Sequence, residues 1–233
     1  MPPARSSPEA SGRASGFALS PPEPPRETYR LIHADAALLV VDKPSGLLSV
    51  PAKPPGPQDC LEARLRADHP EALLVHRLDG DTSGLMVFAR TKRAQRHLGM
   101  QFERRRVSKT YVARVAGRIA EEEGRIDLPL ICDWPNRPLQ MVCHDRGRAA
   151  LTEWRVLARE AAATRVELRP LTGRSHQLRV HLLSLGHPIL GDRFYAPPEA
   201  LAAAERLQLH AARIGFRHPE GGAPVEFDSP VPF

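Results

Sequence analysis

Apolar and polar positions along the chain follow two periods. Over 164–169 (TRVELR) Val166 and Leu168 alternate with charged neighbours, the period of a half-buried strand, and 37–41 is a compact apolar run of strand length. Strand-like stretches recur at 72–76, 85–90, 110–116, 151–157 and 210–216. Residues 58–68 instead carry Leu61 and Leu65 four apart, and 92–105 repeats Ala94, Leu98 and Phe102 at that spacing, as surface helices do. Further helices are predicted at 175–185 and 198–207. KPSG at 43–46 supplies a turn, and 47–57 reads as an exposed, proline-stiffened loop. The neighbouring strands 151–157 and 164–169 suggest an antiparallel hairpin. Strands and helices do not alternate strictly, so the pattern predicts an α+β fold over a doubly wound α/β sheet.

Composition adds limits. With 233 residues, 42% of them hydrophobic, the chain can bury a sizeable core, which excludes wholesale disorder. Twelve of its 24 prolines fall in the first 57 residues, seven of them before Arg26 among Ser, Gly, Ala and Glu. Residues 1–27 are therefore expected to form a flexible tail, with one folded domain over 28–233 beginning near Tyr29. No signal-like apolar segment opens the chain and the longest strongly apolar run, 36–41, is too short to span a bilayer, which points to the cytoplasm. Three cysteines without CxxC spacing read as free thiols in a reducing compartment.

Charge narrows the range of partners. Lys and Arg outnumber Asp and Glu by 33 to 27, a net +6, which favours an anionic partner such as nucleic acid. Between 90 and 118 ten basic residues stand against Glu103 alone, so the rest of the chain is net acidic. With Ala94, Leu98 and Phe102 turned to the core, Arg90, Lys92, Arg93, Arg104, Arg105 and Arg106 are expected on an outward ridge suited to phosphate.

The densest chemistry lies in HRLDGDTSGLMVFAR at 76–90, where an apolar strand meets turn-forming residues and leaves Asp79 at a strand end. A carboxylate there can serve as nucleophile or base, or merely bond to its own turn. His176, His181 and His187 lack metal-ligand spacing and read as structural, and Lys43 beside its proline turn reads as exposed. Trp134 in CDWPN could stack on a base or anchor its loop. Gly80 and Gly84 form neither GxGxxG nor a P-loop, so no nucleotide cofactor is expected.

Four segments in this chain order, KPSGLLSVP (43–51), HRLD followed by TSGL (76–85), KTYVARV (109–115) and GRSHQLRVH (173–181), resemble the RluA family of pseudouridine synthases. The likeness covers roughly 28–233. Two more segments, LPLICDWPNRPLQMVC (128–143) and GHPILGDRFY (186–195), bring it closest to the dual-specificity members that act on transfer RNA and large-subunit ribosomal RNA. The resemblance implies a mixed, largely antiparallel sheet with flanking helices and a central RNA cleft floored by Asp79, no S4-type domain, and no metal or organic cofactor. It implies isomerisation of uridine to pseudouridine in a tRNA anticodon stem-loop and a 23S rRNA hairpin, with the target base flipped out. By the same resemblance Asp79 is the catalytic carboxylate, acting at C1′ or on the C2′ proton, and Arg179 pairs with it, keeping it ionised and oriented. Tyr111 stacks on the base and helps remove the C5 proton, and Arg77 fills the vacated space. Two rivals remain. A haloacid-dehalogenase-type phosphotransferase would use Asp79 and Asp81 as DxD, but Thr82 comes one position too early and the downstream acidic pair is missing. An RNA-binding module or chaperone would need only the ridge.

Overall fold

The apolar runs close into one large sheet in the computed structural model, which describes residues 23–26 and 28–233. The tail expected over 1–27 lies outside these residues apart from 23–26, where the Pro25 carbonyl accepts a hydrogen bond from Arg64 Nη1 at 2.9 Å. The order is β1 (Arg30–Ala34), β2 (Leu38–Lys43), α1 (Leu61–Asp68), β3 (Leu73–Leu74), β4 (Ser83–Ala89), α2 (Lys92–Glu103), β5 (Ser108–Ala116) and β6 (Glu123–Asp127). There follow β7 (Leu130–Cys132), β8 (Gln140–Val142), β9 (Leu151–Arg159), β10 (Ala163–Pro170), α3 (Gln177–Ser184), α4 (Pro198–Ala202), β11 (Leu209–Arg217) and β12 (Pro224–Asp228). The main sheet runs β1-β2-β4-β11-β5-β10-β9-β6, with β12 beside β11 and β3 beside β4; β7 and β8 pair apart from it. Among the described residues only β4 and β11 run parallel. The result is the mixed, mostly antiparallel α+β sheet that the pattern predicts, including the β9–β10 hairpin.

β4 lies between two helical layers, so all seven of its residues are buried. Leu85, Val87 and Ala89 pack with Ala94 and Leu98 of α2, while Met86 and Phe88 pack with Leu61 and Leu65 of α1. Thr91 starts α2 by accepting the Ala94 N–H on Oγ1 at 3.1 Å. Further along the sheet, Leu178 and Leu182 of α3 pack on Ala113 and Val115 of β5 and Val166 and Leu168 of β10. These contacts set α3 beside the loop that enters β4.

That loop depends on a close approach at Gly84, whose φ is +113°. A Cβ there would sit 2.4 Å from the Ala211 carbonyl oxygen and 2.5 Å from its nitrogen, both backbone atoms that cannot step aside. Gly84→Ala is accordingly expected to destabilise the protein by at least about 3 kcal/mol. Chemical denaturation checks this, and a loss under about 1 kcal/mol would contradict it.

Three expectations need correction. The loop expected to be exposed over 47–57 is exposed only in its later part, since Leu47 and Ser49 are buried; Lys43 has no exposed surface at all. The helix expected over 198–207 stops at Ala202, and β1, β6, β7, β8 and β12 were not indicated by pattern.

Candidate active site

The KPSGLLS segment is the mount for the HRLDGD loop. Lys43 Nζ donates to the carbonyls of Leu47 (2.7 Å), Pro44 (2.9 Å) and Gly80 (2.9 Å), which satisfies all three ammonium protons and explains its burial. The Gly46 N–H also reaches the Gly80 carbonyl at 2.9 Å. Ser45 Oγ donates to the Asp81 carbonyl at 2.6 Å, and Ser49 Oγ donates to the Leu78 carbonyl at 2.7 Å while accepting the Leu78 N–H at 3.1 Å. His76 Nε2 accepts the Val87 N–H at 3.0 Å, and its ring stacks on Phe102 with centroids 4.5 Å apart. Burial pulls His76 down to about 3, so it is a neutral acceptor. Asp79 is thus held on both sides through its backbone neighbours.

Asp79, Tyr111, Arg179 and Arg77 all line one cleft of about 280 Å³, together with Lys109, Arg174 and Phe102. Among the described residues the Asp79 carboxylate has neither a hydrogen-bond nor an ion-pair partner. The turn role weighed for it goes to its carbonyl, which accepts the Thr82 N–H at 3.1 Å, and the carboxylate is left free. Tyr111 stands on β5; burial pushes its phenol above the ordinary value and the Asp79 charge adds to this. A neutral phenol suits stacking better than proton removal by a phenolate.

Arg179 departs from expectation. Its bidentate partner is Asp192, with Nε to Oδ2 at 2.8 Å and Nη2 to Oδ1 at 2.6 Å, both side chains 1% exposed. Asp81 lies 3.7 Å from the same Nη2 and is itself held by Arg193 at 3.0 Å. The remaining nitrogen, Nη1, is the one buried side-chain nitrogen or oxygen among the described residues without a hydrogen-bond partner. The ring of Phe194 lies 4.9 Å and that of Tyr195 5.3 Å from the guanidinium carbon, completing a sleeve around it. The direct Asp79–Arg179 pair is therefore replaced by an arginine anchored to Asp192 whose field reaches Asp79 and whose Nη1 is uncommitted. Asp192 was missed by sequence reasoning, although GDRFY was noted, because its role depends on a partner 13 positions away.

The predicted basic ridge divides. Arg104, Arg105 and Arg106 follow α2 at the end where Phe102 reaches the cleft, all exposed and without ion-pair partners among the described residues. Lys92 and Arg93 are exposed too but lie at the other end of α2, about 15 Å away along its axis. Arg90 does not join the ridge: it bonds Glu71 at 2.7 Å and the Asp35 carbonyl at 2.6 Å, a structural use of its fork. Arg77 is exposed with no ion pair among the described residues. The histidines are satisfied as expected, His181 by Thr152 and Leu128, His176 by Tyr195, and His187 by Ala116. Trp134 is 64% exposed under Arg137, so it does not anchor its loop in the core. Asp81, tied to two arginines, is not among the residues lining the cleft, which disfavours a DxD phosphotransferase.

Comparison with known proteins agrees with this geometry. The sequence profile of the RNA pseudouridylate synthase family matches residues 37–184. A dual-specificity RNA pseudouridine synthase RluA of Yersinia pestis is 55% identical over 204 residues, 87% of this chain and 99% of that protein. The Escherichia coli K12 protein of the same name is 53% identical over 212 residues, 90% of this chain and 97% of that one. Among solved structures, human RNA pseudouridylate synthase domain containing 1 superposes with a TM-score of 0.74 at 30% identity, covering 88% of this chain and 84% of that one. Human domain containing 4 gives 0.69 at 26%, covering 87% and 88%. With a profile match over more than half its length and relatives more than half identical, this chain belongs to the RNA pseudouridylate synthases, of the RluA type.

Proposed function

We propose that the protein isomerises uridine to pseudouridine in transfer RNA and large-subunit ribosomal RNA, with Asp79 as the catalytic carboxylate and the anticodon stem-loop and a 23S hairpin as its targets. The observation that carries this reading is the unpartnered Asp79 carboxylate in a cleft shared with Tyr111, Arg179 and Arg77. The reaction breaks N1–C1′, turns the uracil, joins C5 to C1′ and releases the C5 proton while N1 takes one up. Attack at C1′ and removal of the C2′ proton both require an ionised carboxylate free of protein partners beside the sugar, much as in glycoside hydrolysis. Arg179, anchored by Asp192, supplies positive field and one open donor without capping Asp79. Tyr111 stacks on the flipped uracil, and Arg77 fills the space it leaves.

Arg104–Arg106 at the cleft mouth receive phosphates, and Lys92 and Arg93 extend the footprint. In the first turn of α2 those two cations oppose the helix dipole, so helix stability does not account for them. RNA substrates of this kind place the protein's work in the cytoplasm, and no described helix is long and apolar enough to cross a membrane. The test is tritium release from C5-labelled anticodon and ribosomal stem-loops in the presence of chelator. Release from either supports the reading, and binding of both without release would reduce the protein to an RNA-binding module. Tyr111→Ala, which removes ~1–3 kcal/mol of stacking, is expected to lower kcat/KM by about 10- to 100-fold in that assay. An unchanged kcat/KM would take Tyr111 out of the site.

A further inference from the structure

We propose that Lys109, Arg174 and Arg148, joined by Arg105, form a phosphate clamp along one wall of the cleft that grips the RNA backbone beside the flipped uridine. The inference rests on the reading above and assigns ligands to three cations that it leaves unused. Lys109 lies two residues before Tyr111 on β5, hence on the same face of the strand, and lines the cleft with it. It is half-buried, yet its ammonium makes no hydrogen bond or ion pair among the described residues. Burial accordingly lowers its proton affinity, with no carboxylate offsetting the loss. The loop of Gly173 and Arg174 passes beside it: a Cβ on Gly173 would lie 3.8 Å from Lys109 Nζ.

Arg174 lines the same cleft and spends only Nε, on the Ala149 carbonyl at 3.1 Å, which leaves both terminal nitrogens for a ligand. Ala149, whose carbonyl Arg174 bonds, directly follows Arg148 in the chain, and besides burial the charges of Arg148 and Arg105 act against that of Arg174. Arg105 reaches this point from a left-handed backbone conformation, φ 55°, just past the end of α2. Three stretches of chain, 105–109, 148 and 174, thus bring four cations together, with Lys109 and Arg174 lining the cleft itself, and none of the four has an ion-pair partner among the described residues. Elsewhere the same residue type is neutralised, as Arg90 is by Glu71, Arg114 by Glu160 and Arg155 by Glu167. Gathered like charge of this kind opposes folding unless a ligand relieves it, and a run of phosphates has the matching sign, reach and multiplicity.

The test uses the full chain and an anticodon stem-loop with C5-tritiated target uridine, in which the flanking phosphates are replaced one at a time by uncharged methylphosphonates. On the unaltered protein at least one replacement is expected to weaken binding about tenfold and to flatten the salt dependence by about one counterion. Lys109→Met and Arg174→Gln are each expected to do the same to unmodified RNA, and the cost of the neutral phosphate should vanish in the variant that has lost its partner. Lys109→Arg, which keeps the charge, should stay within about threefold. The clamp is overturned if no flanking phosphate matters to the unaltered protein, or if each replacement costs the variants what it costs the parent. Binding and tritium release are read separately. A protein that binds with the expected pattern but releases no tritium sinks the catalytic reading and leaves the clamp, and an active protein with additive costs sinks the clamp alone.

Discussion

Asp79→Asn is expected to lower pseudouridine formation on the order of 10⁴-fold or more while leaving RNA affinity unchanged or a few-fold tighter. The asymmetry follows from what the carboxylate does not do. It accepts no hydrogen bond and forms no ion pair among the described residues, so the amide orphans no partner, and stability should stay within ~0.5 kcal/mol. It sits in a cleft that takes a polyanion, so removing its charge removes a repulsion. Asp81→Asn is the comparison: that side chain holds Arg193 at 3.0 Å, so its loss should register in stability before chemistry. Single-turnover tritium release with each variant, beside filter binding of the same stem-loop, separates the two. If Asp79→Asn keeps activity within tenfold of the parent, the carboxylate is not the reacting group.

The loop that makes Asp79 available shows where sequence reasoning reaches and where it stops. β4, β5, β9, β10 and α2 were legible because burial on one or two faces writes a period into the chain: Ala94, Leu98 and Phe102 could hardly sit elsewhere than on the core side of a helix. β1, β6 and β12 lie at edges or off the main path and are five residues each; β6 and β12 alternate in burial, but with only one or two apolar positions, Ile126 and then Val225 and Phe227, the period is too short to stand out. β7 and β8 are three residues each, too short for any period. In the site, Asp79, Tyr111, Arg179 and Arg77 came from local strings, and the fold brings all four to one cleft. Their supports were invisible for a different reason. A lysine beside a proline turn is ordinarily solvated, and nothing local says that Lys43 will find the Gly80 carbonyl 37 positions later. The same holds for Lys109 and Arg174, whose nearness to each other is a property of β5 meeting the loop after β10.

Asp192 gives the second large effect, and it separates holding a charge from using it. Arg179 and Asp192 are both 1% exposed and share two charge-assisted bonds, so removing one partner leaves a buried charge uncompensated. Asp192→Asn is expected to destabilise the protein by ~3–5 kcal/mol. In a chain of this size that lowers Tm by roughly 6–20 °C. Replacing both, as Arg179→Met with Asp192→Leu, exchanges a buried pair for apolar contacts against Phe194 and Tyr195, which should recover most of that loss. Activity should not return with it. Arg179 is the cation whose field reaches Asp79 and whose Nη1 is uncommitted, and a methionine provides neither. Calorimetry and tritium release on the two single variants and the double are therefore expected to disagree, with stability restored and turnover still down at least about 100-fold. If turnover recovers along with Tm, Arg179 does no more than fill its sleeve, and the positive field at Asp79 must come from another cation such as Lys43, whose charge also acts on it.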